Sequence, residues 1–549
     1  MGDANRARLA SPLTWLLLAA LPVFFLFLDA NSIWDANEAF YVETPRQMVL
    51  SGDYITPVFN DAPRLNKPVL SYWIVAGLYR VFGISVGVER FGIALGALGI
   101  ILAAFLIGRA LRSHGTGLVA ALVVATAPRM VMFSRRIFID IYITLFMALA
   151  LACFVSAERY PHHRRRWLLA MYVAMGLGVL TKGPVAIVIP IITLGLWLTF
   201  ERRWSDVKRL LLVPGLLIVS AIVVPWYAAL VARHGWEPLT TFLLSENLER
   251  YTTAMASDNR RVWYYVPVVF GDLFPWAPLL MVPAASAWRR VQTGEDDIAA
   301  AIRRLLWLWI VVFVIIFSLS QTKQDLYIFP VAAAVAALVA DALVASGFGR
   351  AHRGLRVLLA VVGLLCLACS LIVFRLFGSG YYGLPGARAA AIVLGIGAVV
   401  SLGAMVSGRA RVAVLAIAAT FVIFNYVFVS RVLPGMERLK PVVPLADVLA
   451  ARAMPSSQLG AYRLMLPSLV YYAGRPVHVL YDQAEALAFY RDPRGGWAIM
   501  GEADFAELRM LLPALCVASR RPLFDAKLGN ILNQRPPADV LLVTNRCGD

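Results

Sequence analysis

The sequence has little charge and little cysteine for its length. Only 15% of its 549 residues are charged, whereas 60% are hydrophobic, and the mean hydropathy is +0.72. A soluble domain has roughly 25% charged and about 45–50% apolar residues, so this composition argues against a soluble enzyme and against a disordered chain. Five cysteines are too few for a disulfide framework. The composition therefore indicates a protein that crosses a membrane many times.

Motifs for several kinds of chemistry are also missing. The chain has no G-x-x-x-x-G-K-[ST] motif, which argues against an ATP-driven pump. It has no HExxH motif and no histidines grouped at the spacing of metal ligands. Cys366 and Cys369 lie inside an apolar segment, where packing explains them better than redox chemistry does. Whether Cys516 and Cys547 are bridged is open at this stage, because the sequence does not give their separation.

Long apolar runs dominate the chain as far as residue 430. A membrane span needs about 20 predominantly apolar residues, and thirteen segments are candidates. They are residues 12–28, 91–108, 115–133, 138–156, 168–181, 184–200, 210–231, 263–285, 305–320, 326–346, 357–376, 389–407 and 412–430. Pro184 favours a break between the fifth and sixth segments, since proline suits the first turn of a helix and disrupts its interior.

The loops between these segments explain the net charge of +18. Basic residues concentrate in alternate connections, at Arg6/Arg8, Arg109/Arg112, Arg159–Arg166, Arg202–Arg209, Arg289–Arg304, Arg350–Arg356 and Arg409/Arg411. Short basic loops lie on the cytoplasmic side of a membrane. This pattern predicts a cytoplasmic N-terminus and, with thirteen spans, a C-terminus on the other side. The charge gives no support for nucleic-acid binding.

The chain divides into two predicted domains. Residues 1–436 form an all-α membrane domain with two long outer loops at 29–90 and 232–262. From about residue 437 the composition becomes more polar, and residues 437–549 are predicted to form a small α/β domain outside the membrane. Its strand-like runs are 458–463, 476–481, 515–520 and 539–545, and its helix-like stretches are 443–453 and 502–511.

Acidic residues lie at the outer ends of two predicted spans, where a charged group needs a partner or a function. Two acids and an amide, Asp35, Glu38 and Asn37, follow the first span, and Asp140 begins the fourth. Helix capping explains the first group without any function, and an ion pair with Arg135 or Arg136 explains Asp140. The functional alternative is that these acids orient a nucleophile or bind a metal or leaving group.

Cations occur on the same side, at Lys67, Lys182, Arg250, Arg260, Arg261 and Lys323. Lysine binds phosphate as a point charge and arginine as a two-pronged fork. Several converging cations would hold the phosphate of a lipid-linked substrate at the membrane surface. The alternative for each one is a side chain that merely reaches the lipid headgroups.

Ten short sequence words follow one another in a recognisable order. They are Asn37-Glu38-Ala39-Phe40-Tyr41, Ser51-Gly52-Asp53-Tyr54, Asn66-Lys67-Pro68, Glu89-Arg90, Ser134-Arg135 with Asp140, Thr181-Lys182-Gly183-Pro184, Pro225-Trp226-Tyr227, Asn247 with Arg250-Tyr251, Trp263-Tyr264-Tyr265 and Thr322-Lys323-Gln324 with Tyr327. Over roughly residues 30–335 the chain resembles the C-type (GT-C) membrane glycosyltransferases. Within them it is similar to the branch that holds protein O-mannosyltransferases and bacterial lipid A aminoarabinose transferases.

The resemblance implies a polyprenyl-phosphate sugar donor and an active site at the periplasmic face of the bacterial inner membrane. Lys67 aligns with the family's phosphate-binding lysine, Arg250 with an arginine of the second loop, and Tyr327 with a tyrosine of the last active-site loop. Asp140 aligns with the second catalytic acid. Lys323, Arg135 and Lys182 are further candidates for binding the substrate phosphate.

Three positions depart from the family pattern. Asn37 replaces the first acid of an Asp-Glu pair, so that Glu38 suffices, or Asp35 substitutes for it, or the chemistry needs less of a base. Asn66 and Asn259 stand where the family has an acid and a histidine. No cofactor is assigned from the sequence, and whether a divalent metal binds is left open.

These departures bear on the acceptor. A protein hydroxyl must lose a proton to a positioned carboxylate, whereas a phosphate is already anionic. The resemblance therefore predicts transfer of 4-amino-4-deoxy-L-arabinose from undecaprenyl phosphate to lipid A phosphate, with resistance to cationic peptides as its consequence. Transfer to a protein or another glycan is the first alternative. A transporter is the second, although its polar sites would lie near the membrane midplane rather than at one face.

Overall fold

The computed structural model describes residues 3–35, 37–137, 139–245, 260–286, 297–348, 353–523 and 528–547. The part before residue 436 is almost entirely helical. Its α-helices are α1 (Asp3–Ala20), α2 (Asn37–Ser51), α3 (Leu70–Phe82), α4 (Val86–Leu111), α5 (His114–Thr126), α6 (Pro128–Phe133), α7 (Ile139–Arg159), α8 (Arg164–Lys182), α9 (Val185–Phe200), α10 (Leu212–His234), α11 (Glu237–Leu243), α12 (Tyr265–Asp272), α13 (Met281–Ser286), α14 (Asp297–Leu319), α15 (Ala332–Ala345), α16 (Arg353–Phe377), α17 (Ala387–Val406) and α18 (Ala410–Val427). A two-stranded hairpin, β1 (Val58–Phe59) and β2 (Ala62–Pro63), lies in the first loop.

Eight helices in the described part of the chain are long and apolar enough to cross a membrane, which confirms a membrane domain made of helices. They are Val86–Leu111, Ile139–Arg159, Leu212–His234, Asp297–Leu319, Asp325–Ala345, Arg353–Phe377, Ala387–Val406 and Ala410–Leu439. Shorter apolar helices lie at Pro12–Phe24, Leu70–Phe82, His114–Thr126 and Val185–Phe200. The count of thirteen spans stays a prediction.

Two predicted spans are not single straight helices. Segment 263–285 forms the pair Val262–Asp272 and Ala277–Ala284, which is bent by 113°. Segment 115–133 is divided into α5 and α6 at Ala127, whose extended backbone precedes Pro128. Pro128 explains the division between α5 and α6, because proline disfavours the helical conformation in the residue before it.

The predicted break before α9 is confirmed. Helix α8 ends at Lys182, and Gly183 follows with a φ of 103°, a conformation that side chains rarely adopt. Pro184 then caps α9, which starts at Val185. The turn fixes where the Lys182 side chain leaves the bundle.

Small side chains allow close packing at the centre of the bundle. Helix α15 consists mainly of alanine and valine, and nearly all of its residues are buried. Helices α4 and α5 also approach closely, because a Cβ atom at Gly117 would lie 2.7 Å from the backbone oxygen of Phe105. Tight contact of this kind is typical of helices that associate within a membrane.

The C-terminal part contains a five-stranded sheet and surrounding helices, as the predicted α/β domain requires. The strands are β3 (Gln458–Tyr462), β4 (His478–Leu480), β5 (Gly496–Gly501), β6 (Cys516–Pro522) and β7 (Asp539–Thr544), in the order β4-β3-β5-β7-β6. The helices are α19 (Val442–Arg452), α20 (Ser468–Ala473), α21 (Gln483–Arg491), α22 (Glu502–Leu511) and α23 (Leu528–Leu532). Strand β3 pairs in parallel with β4 and β5, whereas β7 is antiparallel to β5 and β6. Cys516 and Cys547 are bridged, with their Cα atoms 5.8 Å apart.

Candidate active site

The two ends of the helix bundle carry different charged groups. At one end, Arg303 pairs with Asp341 at 3.2 Å, Arg203 with Glu158 at 2.8 Å, and Arg112 also contacts Asp341. The three arginines belong to the basic connections of the sequence. The candidate site residues lie at the opposite end, where α7 begins and α8 ends.

Asp140, Lys182 and Tyr327 meet at this opposite end. The Lys182 ammonium donates to the Asp140 carboxylate and lies 4.5 Å from the centre of the Tyr327 ring. Asp140 is in the first turn of α7, where the helix dipole favours a negative charge. The sequence offered Arg135 or Arg136 as the partner of Asp140, but the structure puts Lys182 there. Three of the predicted site residues thus form one cluster.

Glu38 is the second carboxylate of this region, and only 1% of it is exposed. It accepts a hydrogen bond from the Trp34 backbone N–H at 2.9 Å. The Arg136 Nε lies 3.3 Å and an Arg90 nitrogen 3.7 Å from its oxygens. Two guanidinium groups therefore compensate the charge of this buried carboxylate. Asn37 begins the same helix, and its side chain lies outside the described residues.

Asp35 faces helix α20 of the C-terminal domain rather than the Asp140–Lys182 cluster. Its two oxygens accept hydrogen bonds from the Ser468 backbone N–H at 2.7 Å and from the Ser468 hydroxyl at 2.5 Å. Burial raises the pKa of Asp35 above its usual range, and the two hydrogen bonds oppose this shift. The geometry favours a fastening role for Asp35 over its substitution for Asn37.

Arg135 is buried, and its guanidinium is directed at backbone carbonyl groups after the first span. It donates to Val23 at 2.6 Å, to Phe27 at 3.3 Å, and to Leu26. These contacts satisfy carbonyls that a helix end leaves without partners. The geometry favours an anchoring role over the predicted phosphate contact.

Of the three remaining candidate cations, the structure describes Lys67 and Lys323. Lys67 is half-buried in the turn before α3. Lys323 is buried and donates to the Ser320 carbonyl at 2.6 Å. Arg250 lies outside the described residues, as does Asn259.

Lys440 is a residue that the sequence did not single out. Its ammonium lies 4.0 Å from the centre of the Trp34 ring and donates to the Ser32 carbonyl at 2.6 Å. Burial lowers its pKa to about 8, although Glu437, 3.4 Å away, opposes the shift. It lies just beyond the last apolar segment, where a lysine is ordinarily read as a headgroup anchor.

Two neighbouring cavities open beside these clusters. One, of about 170 Å³, is lined by Trp34, Arg90, Arg135 and Arg136 among apolar side chains. The other, of about 210 Å³, is lined by Arg129, Met132, Phe133, Arg136, Arg260, Gln324, Asp325 and Leu326. Met132 and Arg136 line both. Within the described ranges, no three His, Cys, Asp or Glu side chains are grouped so that they could hold a metal ion.

The chain is similar to known glycosyltransferases in sequence and in fold. A family model described as dolichyl-phosphate-mannose-protein mannosyltransferase matches residues 13–234. The crystal structure of ArnT from Cupriavidus metallidurans bound to undecaprenyl phosphate is 23% identical and has a TM-score of 0.77, covering 98% of this chain and 99% of that one. The chain therefore has the fold of this structure, and the family match covers the part of the chain that contains Glu38, Lys67, Asp140 and Lys182.

Two relatives identify the branch. The undecaprenyl phosphate-α-4-amino-4-deoxy-L-arabinose arabinosyl transferase of Edwardsiella ictaluri is 30% identical over 384 residues, which are 68% of each chain. The arabinosyl transferase 2 of Sodalis glossinidius is 30% identical over 355 residues, 64% of this chain and 63% of the relative. The chain belongs to this family of arabinosyl transferases, which confirms the resemblance stated from the sequence. The match spans about two thirds of the length of these relatives.

Proposed function

We propose that the protein transfers 4-amino-4-deoxy-L-arabinose from undecaprenyl phosphate to a phosphate of lipid A. The names of its relatives support this donor and sugar, and the similarly folded ArnT was crystallised with undecaprenyl phosphate. The observation that carries the proposal is the cluster of Asp140, Lys182 and Tyr327 at one end of the bundle. This cluster combines a carboxylate, an ammonium group and a phenol at the place where α7 begins and α8 ends.

The cations act on the donor. Transfer breaks the bond between the anomeric carbon and the phosphate oxygen, so negative charge develops on undecaprenyl phosphate as it leaves. Lys67, Arg250 and Tyr327, with Lys323 and Lys182, bind this phosphate and stabilise that charge. Groups positioned before the reaction stabilise developing charge at little reorganisation cost.

The carboxylates act on the sugar and the acceptor. Glu38 and Asp140 are held by Arg136 and Lys182, so their positions are fixed before substrate arrives. An ionised carboxylate forms a strong hydrogen bond with the amino group of the sugar. The attacking phosphate oxygen is already anionic and needs orientation more than deprotonation, so Asn37 is compatible with activity.

The membrane orientation follows from the same charge pattern. The basic end of the bundle faces the cytoplasm, with the N-terminus on that side. The site and the domain formed by residues 437–549 face the periplasm across the inner membrane. The disulfide between Cys516 and Cys547 supports this orientation, because disulfides persist in oxidising compartments.

Mass spectrometry of lipid A tests the proposed reaction in cells. Lipid A from cells that carry the gene should include species with one added aminoarabinose, and these should vanish when the gene is deleted. They should return with the wild-type gene but not with Lys67→Ala. Identical lipid A spectra with and without the gene would refute lipid A as the acceptor.

A further inference from the structure

The cavity of about 210 Å³ has an unusual lining for a membrane protein. Three arginine side chains, Arg129, Arg136 and Arg260, surround its volume of about 210 Å³ together with the carboxylate of Asp325. Arginine is costly at the edge of a membrane domain unless it has a partner or a function. We call this space the arginine cavity.

Each of the three guanidinium groups is held in place by the protein. Arg129 contacts Asp325, lies 3.4 Å from Asp272, and stacks 4.3 Å from the centre of the Phe133 ring. Arg260 donates to the Lys323 carbonyl and lies 5.0 Å from the centre of the Tyr264 ring. Arginines fixed in this way lose little side-chain entropy when an anion binds.

The cavity adjoins the catalytic region through two residues. Arg136 lines the cavity and also pairs with Glu38 at 3.3 Å. Leu326 lines it and immediately precedes Tyr327, whose ring lies against Lys182. An anion in the cavity would therefore lie beside both carboxylate clusters.

The charge and shape of the cavity fit a phosphate monoester. Guanidinium groups match two phosphate oxygens at once, which ammonium groups do not. About 27% of the Arg129 side chain and 33% of the Arg136 side chain are exposed, so a ligand can reach them. None of the described lining residues is one that the family resemblance assigns to the donor phosphate. A second phosphate beside the donor also needs cations of its own, since like charges repel.

We propose that the arginine cavity binds the phosphate of the acceptor glycolipid and presents its oxygen to the sugar. This inference rests on the proposed function, because it assumes a phosphorylated lipid as the acceptor. Arg129 and Arg260 bind the phosphate, and Arg136 links it to Glu38. The donor phosphate occupies the separate set of cations around Lys67 and Tyr327.

Binding and kinetics of the purified full-length protein test the assignment. Arg260→Gln removes one fork at an exposed position, and Arg261→Gln is a matched control at the next residue, also exposed. Arg260→Gln should weaken binding of lipid A about tenfold or more and raise its KM to match. Binding of undecaprenyl phosphate should change less than about twofold. Arg260→Lys should recover part of the affinity, and Arg261→Gln should resemble the wild type.

Two further measurements show whether the cavity binds the phosphate of lipid A or that of the donor, and whether the variants are folded. Enzymatically dephosphorylated lipid A should bind the wild type and Arg260→Gln equally weakly. Arg129→Lys, which keeps the charge but loses the fork, should also weaken lipid A binding while undecaprenyl phosphate still binds and so reports an intact fold. A tenfold loss of undecaprenyl phosphate binding would assign the cavity to the donor and overturn the proposal, as would unchanged lipid A binding in Arg260→Gln.

The binding arm also separates this inference from the proposed reaction. If the wild type binds lipid A through its phosphate but transfers no sugar, the proposed reaction fails and the cavity assignment stands. If the wild type transfers sugar to lipid A but Arg260→Gln has an unchanged KM, the cavity assignment fails and the reaction stands.

Discussion

At the scale of the residue, the site depends on pairs whose members come from distant parts of the chain. Lys182 is 42 positions from Asp140, and Arg136 is 98 positions from Glu38. The sequence identified three of these residues by their places at helix mouths and by the family words. It did not give the pairs, because helix packing decides which ends meet. Arg129 was not predicted as a site residue, because a single arginine after a proline belongs to no motif that indicates a function.

The Asp140–Lys182 pair predicts a sharp loss of activity in Asp140→Asn. The substitution keeps the size of the side chain but removes the charge that positions Lys182. Initial rates of sugar transfer by the purified protein should fall about 100-fold or more, as for other positioned catalytic carboxylates. Glu237→Gln is the matched control, an exposed acid in the first turn of α11. A rate within twofold of wild type in Asp140→Asn would remove Asp140 from the mechanism.

Lys440 predicts a specific dependence of stability on pH. Its pKa is about 8 in the folded protein and 10.5 ordinarily, so between these values the unfolded chain holds the proton that the folded chain has released. The free energy of unfolding should therefore rise through this window. Thermal denaturation from pH 7 to pH 10 should show wild type gaining stability relative to Lys440→Met. The exposed Lys208→Met should track wild type throughout, and parallel curves for Lys440→Met would contradict the account.

At the scale of the element, breaks between helices were predictable where proline and glycine fall together. Thr181-Lys182-Gly183-Pro184 gave the end of α8 and the start of α9 correctly. Strand β5 was missed, although it is the centre of the sheet. It has four apolar residues between glycines, is buried on both faces, and so shows no alternation. Its partners, which define it, are far away in the sequence.

Gly183 predicts that a single methyl group disturbs the site. Its φ of 103° and ψ of −156° are strained for alanine, at a cost of roughly 1–3 kcal/mol. Gly183→Ala should lower the melting temperature and the transfer rate together, because the strain is relieved by moving Lys182. Gly195→Ala is the control, since a Cβ there meets nothing within 4 Å and the residue is inside α9. Equal melting temperatures and rates for the two variants would contradict this role of the turn.

At the scale of the whole molecule, the C-terminal domain is fastened to the first loop through helix α20 and the residue before β4. Two further contacts act beside the Asp35–Ser468 hydrogen bonds. The Asn60 side chain donates to the Val477 carbonyl at 2.9 Å and accepts from the Val477 N–H at 2.8 Å. The Tyr472 hydroxyl accepts from the Ile33 N–H at 2.8 Å. The same loop carries Glu38 and Lys67. The C-terminal domain therefore positions part of the site. Sequence composition predicted the domain but not its docking, which depends on single polar contacts.

From this docking we expect Asp35→Ala to lower the stability of the protein without removing a group that binds substrate. Loss of hydrogen bonds to a carboxylate should cost roughly 1.5–3 kcal/mol of stability. Proteolysis of the purified protein should become faster near the junction, while affinity for undecaprenyl phosphate changes little. Ser468→Ala should act in the same direction and less than additively with Asp35→Ala, whereas Ser456→Ala, at an exposed position, should have no effect. If the losses of stability in Asp35→Ala and Ser468→Ala add up in the double variant, the two side chains do not stabilise the protein through a common contact.

The reaction proposed for this site moves a sugar from one lipid phosphate to another. Its most direct test is transfer by the purified protein, reconstituted with undecaprenyl-phosphate aminoarabinose and lipid A and analysed by mass spectrometry. We expect aminoarabinose to appear on lipid A, to require the lipid A phosphate, and to be absent when Asp140→Asn replaces the wild type. Transfer that persists on dephosphorylated lipid A, or no transfer to lipid A by the active wild-type preparation, would contradict it.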